Sequence, residues 1–177
     1  MGKGNWKCKV SVSTSDNTDT SMKIKASCVW DSNDWSYNMN GITGWVYING
    51  TEYKVYDNGS IDCSSGNTKT LGSKTVTINK THSSQSIPCY AKIKSTSSYS
   101  SGTETSGTTN KTVSAKTSYT VSYNANNGSG APGNQTKWYG ENLTLSSTKP
   151  TRTGYTFNGW NTKSDGTGTN YSSGGTY

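Results

Sequence analysis

The first two thirds of the chain alternate apolar and polar residues in short runs, which is typical of half-buried β-strands. Gly, Asn, Ser and Thr separate the runs, and no window has the apolar spacing of an amphipathic helix. The sequence therefore predicts an all-β fold here. The predicted strands are Trp6–Val12, Lys23–Trp30, Gly44–Ile48, Thr51–Tyr56, Ser60–Cys63, Lys74–Asn79, Ile87–Ser95 and Thr109–Ser114.

The clearest turn signal in this part is Asn49-Gly50, which separates two runs rich in aromatic and β-branched residues. Asn-Gly is the preferred dipeptide of the type I′ turn that joins antiparallel strands. Seven or eight strands at this spacing predict a sandwich, either immunoglobulin-like or a jelly roll. Residues 95–109, rich in Ser, Thr and Gly, are expected to form a long exposed loop or hairpin tip.

The last third of the chain alternates in shorter runs. The alternating run of Tyr119, Val121 and Tyr123 ends before Asn126-Asn127-Gly128, where we expect a turn with positive φ. A further short strand is predicted at Thr136–Tyr139.

A second aromatic motif follows at Gly154–Trp160. Tyr155 and Phe157 share one strand face, and Gly159 allows the backbone to bend or approach a neighbour closely before Trp160. We expect Tyr155, Phe157 and Trp160 to form the small core of this module.

These motifs resemble, in order and spacing, the Listeria–Bacteroides repeat, a small module of internalin-type surface proteins and of many secreted and phage proteins. The resemblance rests on YTVSYNANNG, on Gln135 to Gly140 and above all on PTRTGYTFNGWNTKSDGTGTNY. It implies a small β-rich, β-grasp-like module at 117–177 behind a sandwich domain at 1–116.

Members of that family close with a further apolar strand, whereas this sequence stops at Tyr177. We therefore expect an incomplete module. Either the sequence is a fragment of a longer protein, or another chain supplies the missing strand by edge addition.

The sandwich domain in turn resembles the β-sandwich module of minor structural proteins in tailed phages of Gram-positive bacteria. This resemblance rests on GWVYING and on LGSKTVT, followed by a turn and the alternating strand Cys89–Ser95. It departs from that module at Lys80–Ser84, which replaces the usual Asp-Gly turn.

Composition refines this picture of a small core. Only 28% of the residues are hydrophobic and the mean hydropathy is -0.83, values that by themselves are typical of disorder. However, the chain has 6 Trp and 12 Tyr, and aromatic rings bury much area per residue. We therefore expect a folded protein whose core depends on few, large side chains.

The formal net charge of +7 has two interpretations. Lysines scattered along the predicted strands protect exposed faces from unwanted pairing, or they attract an anionic surface such as teichoic acid, capsule or nucleic acid. No nucleic-acid-binding motif is present, so we expect no nucleic-acid partner.

The sequence contains neither a secretory signal nor an apolar run of membrane-spanning length. We therefore expect synthesis in a host cytoplasm without membrane insertion.

The four cysteines, Cys8, Cys28, Cys63 and Cys89, all fall on the apolar side of a predicted strand. Their spacing does not match a zinc site, and we expect no metal and no cofactor. Free core thiols are the preferred interpretation, and an inter-sheet disulfide is the alternative if the chain matures in an oxidising place.

Catalysis has little support in the sequence. His82 is the one histidine and lies in a polar stretch between strands, and no acidic residue stands in a recognisable motif. The segment Asp31–Asp34 lacks the Gly and the distal Glu of a calcium loop. We therefore predict that the protein is not an enzyme.

Binding is better supported, by the segment from Trp30 to Asn40. Sugar faces stack on aromatic rings, and their hydroxyl groups pair with Asp and Asn side chains. The candidate ligand contacts are Asp34, Trp35, Tyr37 and Asn38. The alternative is structural, with Trp30 in the core and Trp35 and Tyr37 in a bulged edge strand.

Together these features predict a non-enzymatic structural protein of a tailed-phage virion, in the tail, the baseplate or the capsid decoration. Its expected partners are other virion proteins, in multiple copies, and host cell-wall glycan. The alternative is a fragment of a Gram-positive cell-surface adhesin.

Overall fold

The computed structural model describes residues 6–32, 38–62 and 68–177. The chain divides into two units, Met1–Ala115 and Lys116–Tyr177, one residue from the boundary expected from the sequence. The elements found in the described ranges are all β-strands, with no helix among them. The predicted all-β class is therefore confirmed, as a sandwich followed by a small β-rich module.

The described residues of the first unit contain eight strands, and all but the seventh follow a run of alternating residues. They are β1 (Trp6–Ser15), β2 (Ser21–Ser32), β3 (Asn38–Ile48), β4 (Thr51–Asp62), β5 (Thr68–Asn79), β6 (Gln85–Ser95), β7 (Gly102–Thr105) and β8 (Thr109–Val113).

These strands form two antiparallel sheets. The first sheet has the order β1-β2-β5, and the second has the order β4-β3-β6. On the far edge of β6, β8 pairs with Gln85–Cys89 and β7 pairs with Lys92–Ser95. This order is that of an immunoglobulin-like sandwich with its fourth strand in the second sheet, which distinguishes it from the jelly-roll alternative.

The core lies between the inner faces of the two sheets. Because successive side chains of a strand point to opposite faces, every second residue of the central strands is buried. Trp30, for example, is 1% exposed. The inward residues of the two central strands include Ile24, Ala26 and Cys28 on β2 and Ile87, Cys89, Ala91 and Ile93 on β6.

Three of the four cysteines belong to this core. Cys8, Cys28 and Cys89 are buried free thiols, as the preferred interpretation of the sequence predicts. Cys63 lies outside the described residues.

The Asn49-Gly50 turn joins β3 to β4 as predicted. Asn49 has φ 51° and Gly50 has φ 80°, so both central residues are left-handed, as a type I′ turn requires. The turn sets the register in which Tyr47 lies opposite Glu52 and Ile48 lies opposite Thr51.

One strand prediction for this unit is wrong in detail, and one loop prediction is only partly correct. Residues 60–62 are not a separate strand, because β4 continues to Asp62 through irregular pairing with β3. For residues 95–109, the sequence predicts a long exposed loop or a hairpin tip. They contain β7, which forms an antiparallel hairpin with the end of β6, and Ser97 and Ser100 in its tip are buried rather than exposed. Ser100 Oγ accepts a hydrogen bond of 3.1 Å from Trp6 Nε1, so part of this polar segment packs on the sandwich.

The second unit is a small β-rich module. Its strands are β9 (Ser118–Val121), which pairs with β10 (Gln135–Trp138), and β11 (Trp160–Asn161), which pairs with β12 (Asn170–Tyr171). Leu143 and Tyr177 exchange two further backbone hydrogen bonds of 3.0 and 2.8 Å. The predicted turn with positive φ is confirmed, at 47° for Asn126 and 67° for Asn127.

Gly159 makes the close backbone approach that the sequence predicts. Its φ is 138°, and a Cβ at this position would lie 2.7 Å from the carbonyl oxygen of Tyr171. A larger residue here would therefore push β11 and β12 apart.

Candidate functional site

The predicted ligand contacts lie mostly where the structure gives no description. Asp34, Trp35 and Tyr37 are outside the described residues, so their role stays a prediction. Asn38 is the first residue of β3, where it is exposed and lies opposite Asp62.

Tyr155 does not belong to the core of the second unit, contrary to expectation. Its side chain is 67% exposed, and the guanidinium of Arg152 lies 3.9 Å from its ring centre. Phe157 and Trp160 are half-buried and meet edge to face with ring centres 4.9 Å apart. The expected shared strand face is wrong, because Phe157 lies outside the strands and Tyr155 forms only an isolated β-bridge with Arg152.

Aromatic rings of the second unit surround an open cleft of about 620 Å³. Trp160 packs on Tyr123 with ring centres 4.6 Å apart, and Tyr171 packs on Tyr177 at 5.1 Å. Leu145, 5% exposed, is the one buried residue between 116 and 177. These rings are therefore the small core of the module, and that core is partly open to solvent.

The first unit brings together a different group of aromatic residues, on the outer face of the second sheet. We call this group the aromatic surface; it consists of Trp45 and Tyr47 on β3, Glu52 on β4, and Tyr90 and Lys92 on β6. Trp45 lies opposite Lys92, and Tyr47 lies between Glu52 and Tyr90. Because Val46 and Ile48 point into the core, the alternate residues Trp45 and Tyr47 point outward.

The side chains of the aromatic surface hold one another in place. The rings of Tyr47 and Tyr90 are stacked, with ring centres 4.2 Å apart and an angle of 9° between the ring planes. The Lys92 ammonium lies 4.6 Å from the Trp45 ring centre and 5.3 Å from that of Tyr47. Such cation–π contacts fix both the ring and the charge.

Glu52 completes this network on the β4 side. Its Oε2 accepts a hydrogen bond from the Tyr47 hydroxyl and lies 3.2 Å from Lys92 Nζ. The side chains remain within reach of solvent, 46% exposed for Glu52 and 31% for Lys92. The network thus presents fixed rings and a neutralised ion pair on a rigid sheet.

Polar residues border the aromatic surface on the neighbouring strand positions. Thr43 lies opposite Lys94, and Thr105 lies opposite Lys92. On β4, Lys54 lies opposite Trp45 and pairs with Asp57 at 3.1 Å. The rings are therefore bordered by threonine hydroxyl groups, by the ion pair of Lys54 and Asp57, and by Lys94.

Sequence reasoning missed the aromatic surface, although part of its signal was present. Trp45 and Tyr47 occupy the outward positions of a run whose inward positions are Val46 and Ile48. Nothing local, however, shows that β6 lies beside β3 and brings Tyr90 next to Tyr47.

Two acidic residues of the first unit form ion pairs, and one of them, Asp31, begins the segment that was compared with a calcium loop. Asp31 forms an ion pair of 2.6 Å with Lys9, and Asp57 pairs with Lys54. The hydrogen bond from Lys9 lowers the pKa of Asp31 below its ordinary value of 3.8.

Within the described ranges, His, Cys, Asp and Glu form no group of three or more that could hold a metal ion.

Membrane insertion through a helix also finds no support in the described part of the chain. None of its elements is a helix with the length and apolar character needed to span a bilayer.

The fold and these surfaces define a two-unit all-β protein, with an immunoglobulin-like sandwich before a small aromatic module. Residues 119–177 match the Listeria-Bacteroides repeat domain, which confirms the resemblance of the C-terminal unit. This repeat points to a surface-associated or adhesin-like protein. Comparison with curated proteins and with solved structures gives no match, and the phage resemblance of the sandwich stays a prediction.

Proposed function

We propose that the chain is a non-enzymatic structural protein of a tailed-phage virion that is exposed on the tail, the baseplate or the capsid and adheres to the host envelope. The observation that carries the proposal is the aromatic surface, which holds Trp45, Tyr47 and Tyr90 in reach of solvent on a rigid sheet. The match of residues 119–177 to a repeat of surface proteins supports the same role.

Adhesion by such a protein depends on copy number. One sandwich offers a small contact area, which gives weak affinity. Many copies on one particle turn successive contacts into intramolecular events and raise the overall avidity. Other virion proteins in the particle are therefore the expected partners, with host cell-wall glycan as the ligand.

The absence of enzymatic activity is part of the proposal. Asp16, Asp31 and Asp57 each form an ion pair with a lysine, and His82 lies in an exposed loop between β5 and β6. These arrangements support structural and surface roles for the acidic residues.

The alternative is that the chain is a fragment of a Gram-positive cell-surface adhesin. The repeat match favours this alternative as much as the virion, because the repeat points to surface proteins of both kinds.

Quantitative mass spectrometry of purified phage particles and of washed host cell walls separates the two. We expect the tryptic peptides Ser95–Lys111 of the sandwich and Trp138–Arg152 of the repeat unit in the particles. Their ratio to the major capsid protein should stay constant through density-gradient purification. Peptides found in cell walls but absent from particles would overturn the virion proposal and favour the adhesin.

A further inference from the structure

We propose that the aromatic surface is a carbohydrate-binding site that takes a neutral pyranose of a cell-wall glycan. The inference rests on the proposed adhesive function and names the ligand class and the residues that contact it. Three features of the aromatic surface support this ligand: the hydrogen-bonding groups that the network leaves unused, its charge balance and its polar border.

Several polar groups at the aromatic surface are left unused by its own network. The hydrogen bonds of the network join Tyr47 and Lys92 to Glu52. They do not use the Trp45 indole N–H or the Tyr90 hydroxyl, which belong to half-buried residues. Glu52 uses Oε2 for both of its contacts, which leaves Oε1 as an acceptor. Lys92 has three N–H donors and gives one to Glu52.

These donors and acceptors lie on the same neighbouring strand positions as the rings, and the combination of rings with hydrogen-bonding groups fits a pyranose. One face of a sugar ring carries C–H groups that pack on the negative face of an aromatic ring. Its edge carries hydroxyl groups that need both donors and acceptors. Trp45 and Tyr90 supply two rings and two donors, Lys92 supplies further N–H donors, and Glu52 supplies an acceptor, all on neighbouring strands.

The charge balance favours a neutral ligand over an anionic polymer. Lys92 is neutralised by Glu52 at 3.2 Å, and Lys54 is neutralised by Asp57 at 3.1 Å. A site for phosphate groups would instead present unpaired lysines or arginines. The net charge of +7 therefore acts over the whole molecule and is not concentrated at this site.

A protein ligand fits this surface less well. Stable protein interfaces bury a contiguous apolar centre with a polar rim. Here the ion pair of Glu52 and Lys92 lies within the ring cluster itself. A hydroxyl-rich ligand can bond to these charged groups, whereas an apolar side chain would desolvate them without replacement.

The direct test is binding of the full chain to an array of neutral pyranose oligosaccharides, followed by titration of the best ligand with tryptophan fluorescence and calorimetry. We expect binding at high salt. Trp45→Ala and Tyr90→Ala should each weaken it by about tenfold or more, because each removes a ring. Tyr90→Phe should give a smaller loss, since it keeps the stacked ring and removes only the hydroxyl.

Tyr139→Ala is the matched control, because Tyr139 is 43% exposed and lies in the other unit. Near-UV circular dichroism verifies that each variant is folded, and Glu52→Gln tests the acceptor if an alanine variant does not fold. The proposal is overturned if no neutral oligosaccharide on the array binds. It is equally overturned if the folded Tyr90 and Trp45 variants bind like the wild type, or if high salt abolishes binding.

The result of the glycan-binding test is independent of the mass spectrometry of phage particles. A chain that is absent from virions but loses glycan binding on Trp45→Ala retains the carbohydrate site and loses the virion role. A chain that is present in virions but binds no neutral glycan retains the virion role and loses the carbohydrate site.

Discussion

On the outer face of the first sheet, the single residue Asp31 connects neighbouring strands through its charge. Its carboxylate lies 2.6 Å from Lys9 Nζ on the neighbouring strand and is 15% exposed. Thr68 Oγ1 on β5 donates a weaker hydrogen bond of 3.3 Å to the same side chain. One carboxylate thus links all three strands of this sheet, and Lys9 lowers its pKa below 3.8.

The lowered pKa predicts an acid-dependent loss of stability. Asp31 binds protons more weakly in the folded state than in the unfolded state, so the ionised form stabilises the fold above the ordinary pKa of 3.8. This contribution is lost as the pH falls through the lower folded-state pKa. The expected result is a urea midpoint that decreases from neutral pH to below pH 3.8 in the wild type, and decreases less in Asp31→Asn.

Lys9→Gln is the companion variant, because it removes the partner and should flatten the same part of the pH profile. Equal losses of stability on acidification in the wild type and in both variants would contradict this account of Asp31.

At the scale of elements, the β3–β4 hairpin depends on its two turn residues. Asn and Gly adopt positive φ at little cost, whereas other residues do so with strain. The same turn sets the register that brings Glu52 to Tyr47. The Asn49-Gly50 turn, which the sequence predicts locally, therefore determines where Glu52 lies in the aromatic surface.

Gly50→Ala should destabilise the sandwich by about 1 kcal/mol, because φ is 80° at this position. Space is not the cause, since a Cβ on Gly50 would meet nothing within 4 Å. Equilibrium urea unfolding followed by far-UV circular dichroism measures the change.

Gly107→Ala is the matched control for the turn, because its Cβ would also meet nothing within 4 Å and Gly107 is not among the residues with positive φ. It should have no destabilising effect or slightly increase stability. Equal losses for the two variants would rule out backbone strain as the reason for Gly50.

Most strands were predictable at this scale because alternation is a local property. β1, β2 and β6 lie where alternating residues place them, each longer than predicted by a few residues. β7 was not predictable, since Gly102–Thr105 has no apolar alternation and forms a strand by pairing with β6. Its strand conformation comes from backbone hydrogen bonds to a neighbour, which a side-chain pattern does not encode.

At the scale of the whole molecule, the sandwich core encloses thiols from both sheets. Cys8 and Cys28 lie on neighbouring strands of the first sheet, and Cys89 lies on β6 of the second. A hydrogen bond to Cys8, together with burial, raises the pKa of Cys28. Burial likewise raises the pKa of Cys89. Both effects keep Cys28 and Cys89 protonated and unreactive. The hydrogen bond from Cys28 instead lowers the pKa of Cys8, so that thiol is protected by its burial in the core.

These thiols should therefore be protected until the sandwich unfolds. In a Cys63→Ser variant, we expect no reaction with Ellman's reagent under native conditions at mildly alkaline pH. After unfolding in concentrated guanidinium chloride, the 3 remaining thiols should react.

Mass spectrometry of the labelled protein identifies the cysteines that react. Rapid native labelling of Cys28 or Cys89 would contradict the described core. Fewer than three reactive thiols after unfolding without reductant would indicate a disulfide.

The sequence by itself determined the features that depend on neighbouring residues. These are the alternation of the strands, the left-handed turns at Asn49-Gly50 and Asn126-Asn127, and the order of motifs in the repeat at 119–177. Each follows from backbone sterics or from strand periodicity within a few residues.

Only the tertiary structure decided which strands are neighbours and which rings are covered. Tyr47 meets Tyr90 because β3 and β6 pair in the second sheet, and Tyr155 is exposed because no other segment covers it. Strand pairing over long sequence separations follows from the packing of two whole sheets against each other, and no local pattern specifies it. The candidate binding site belongs to this second class.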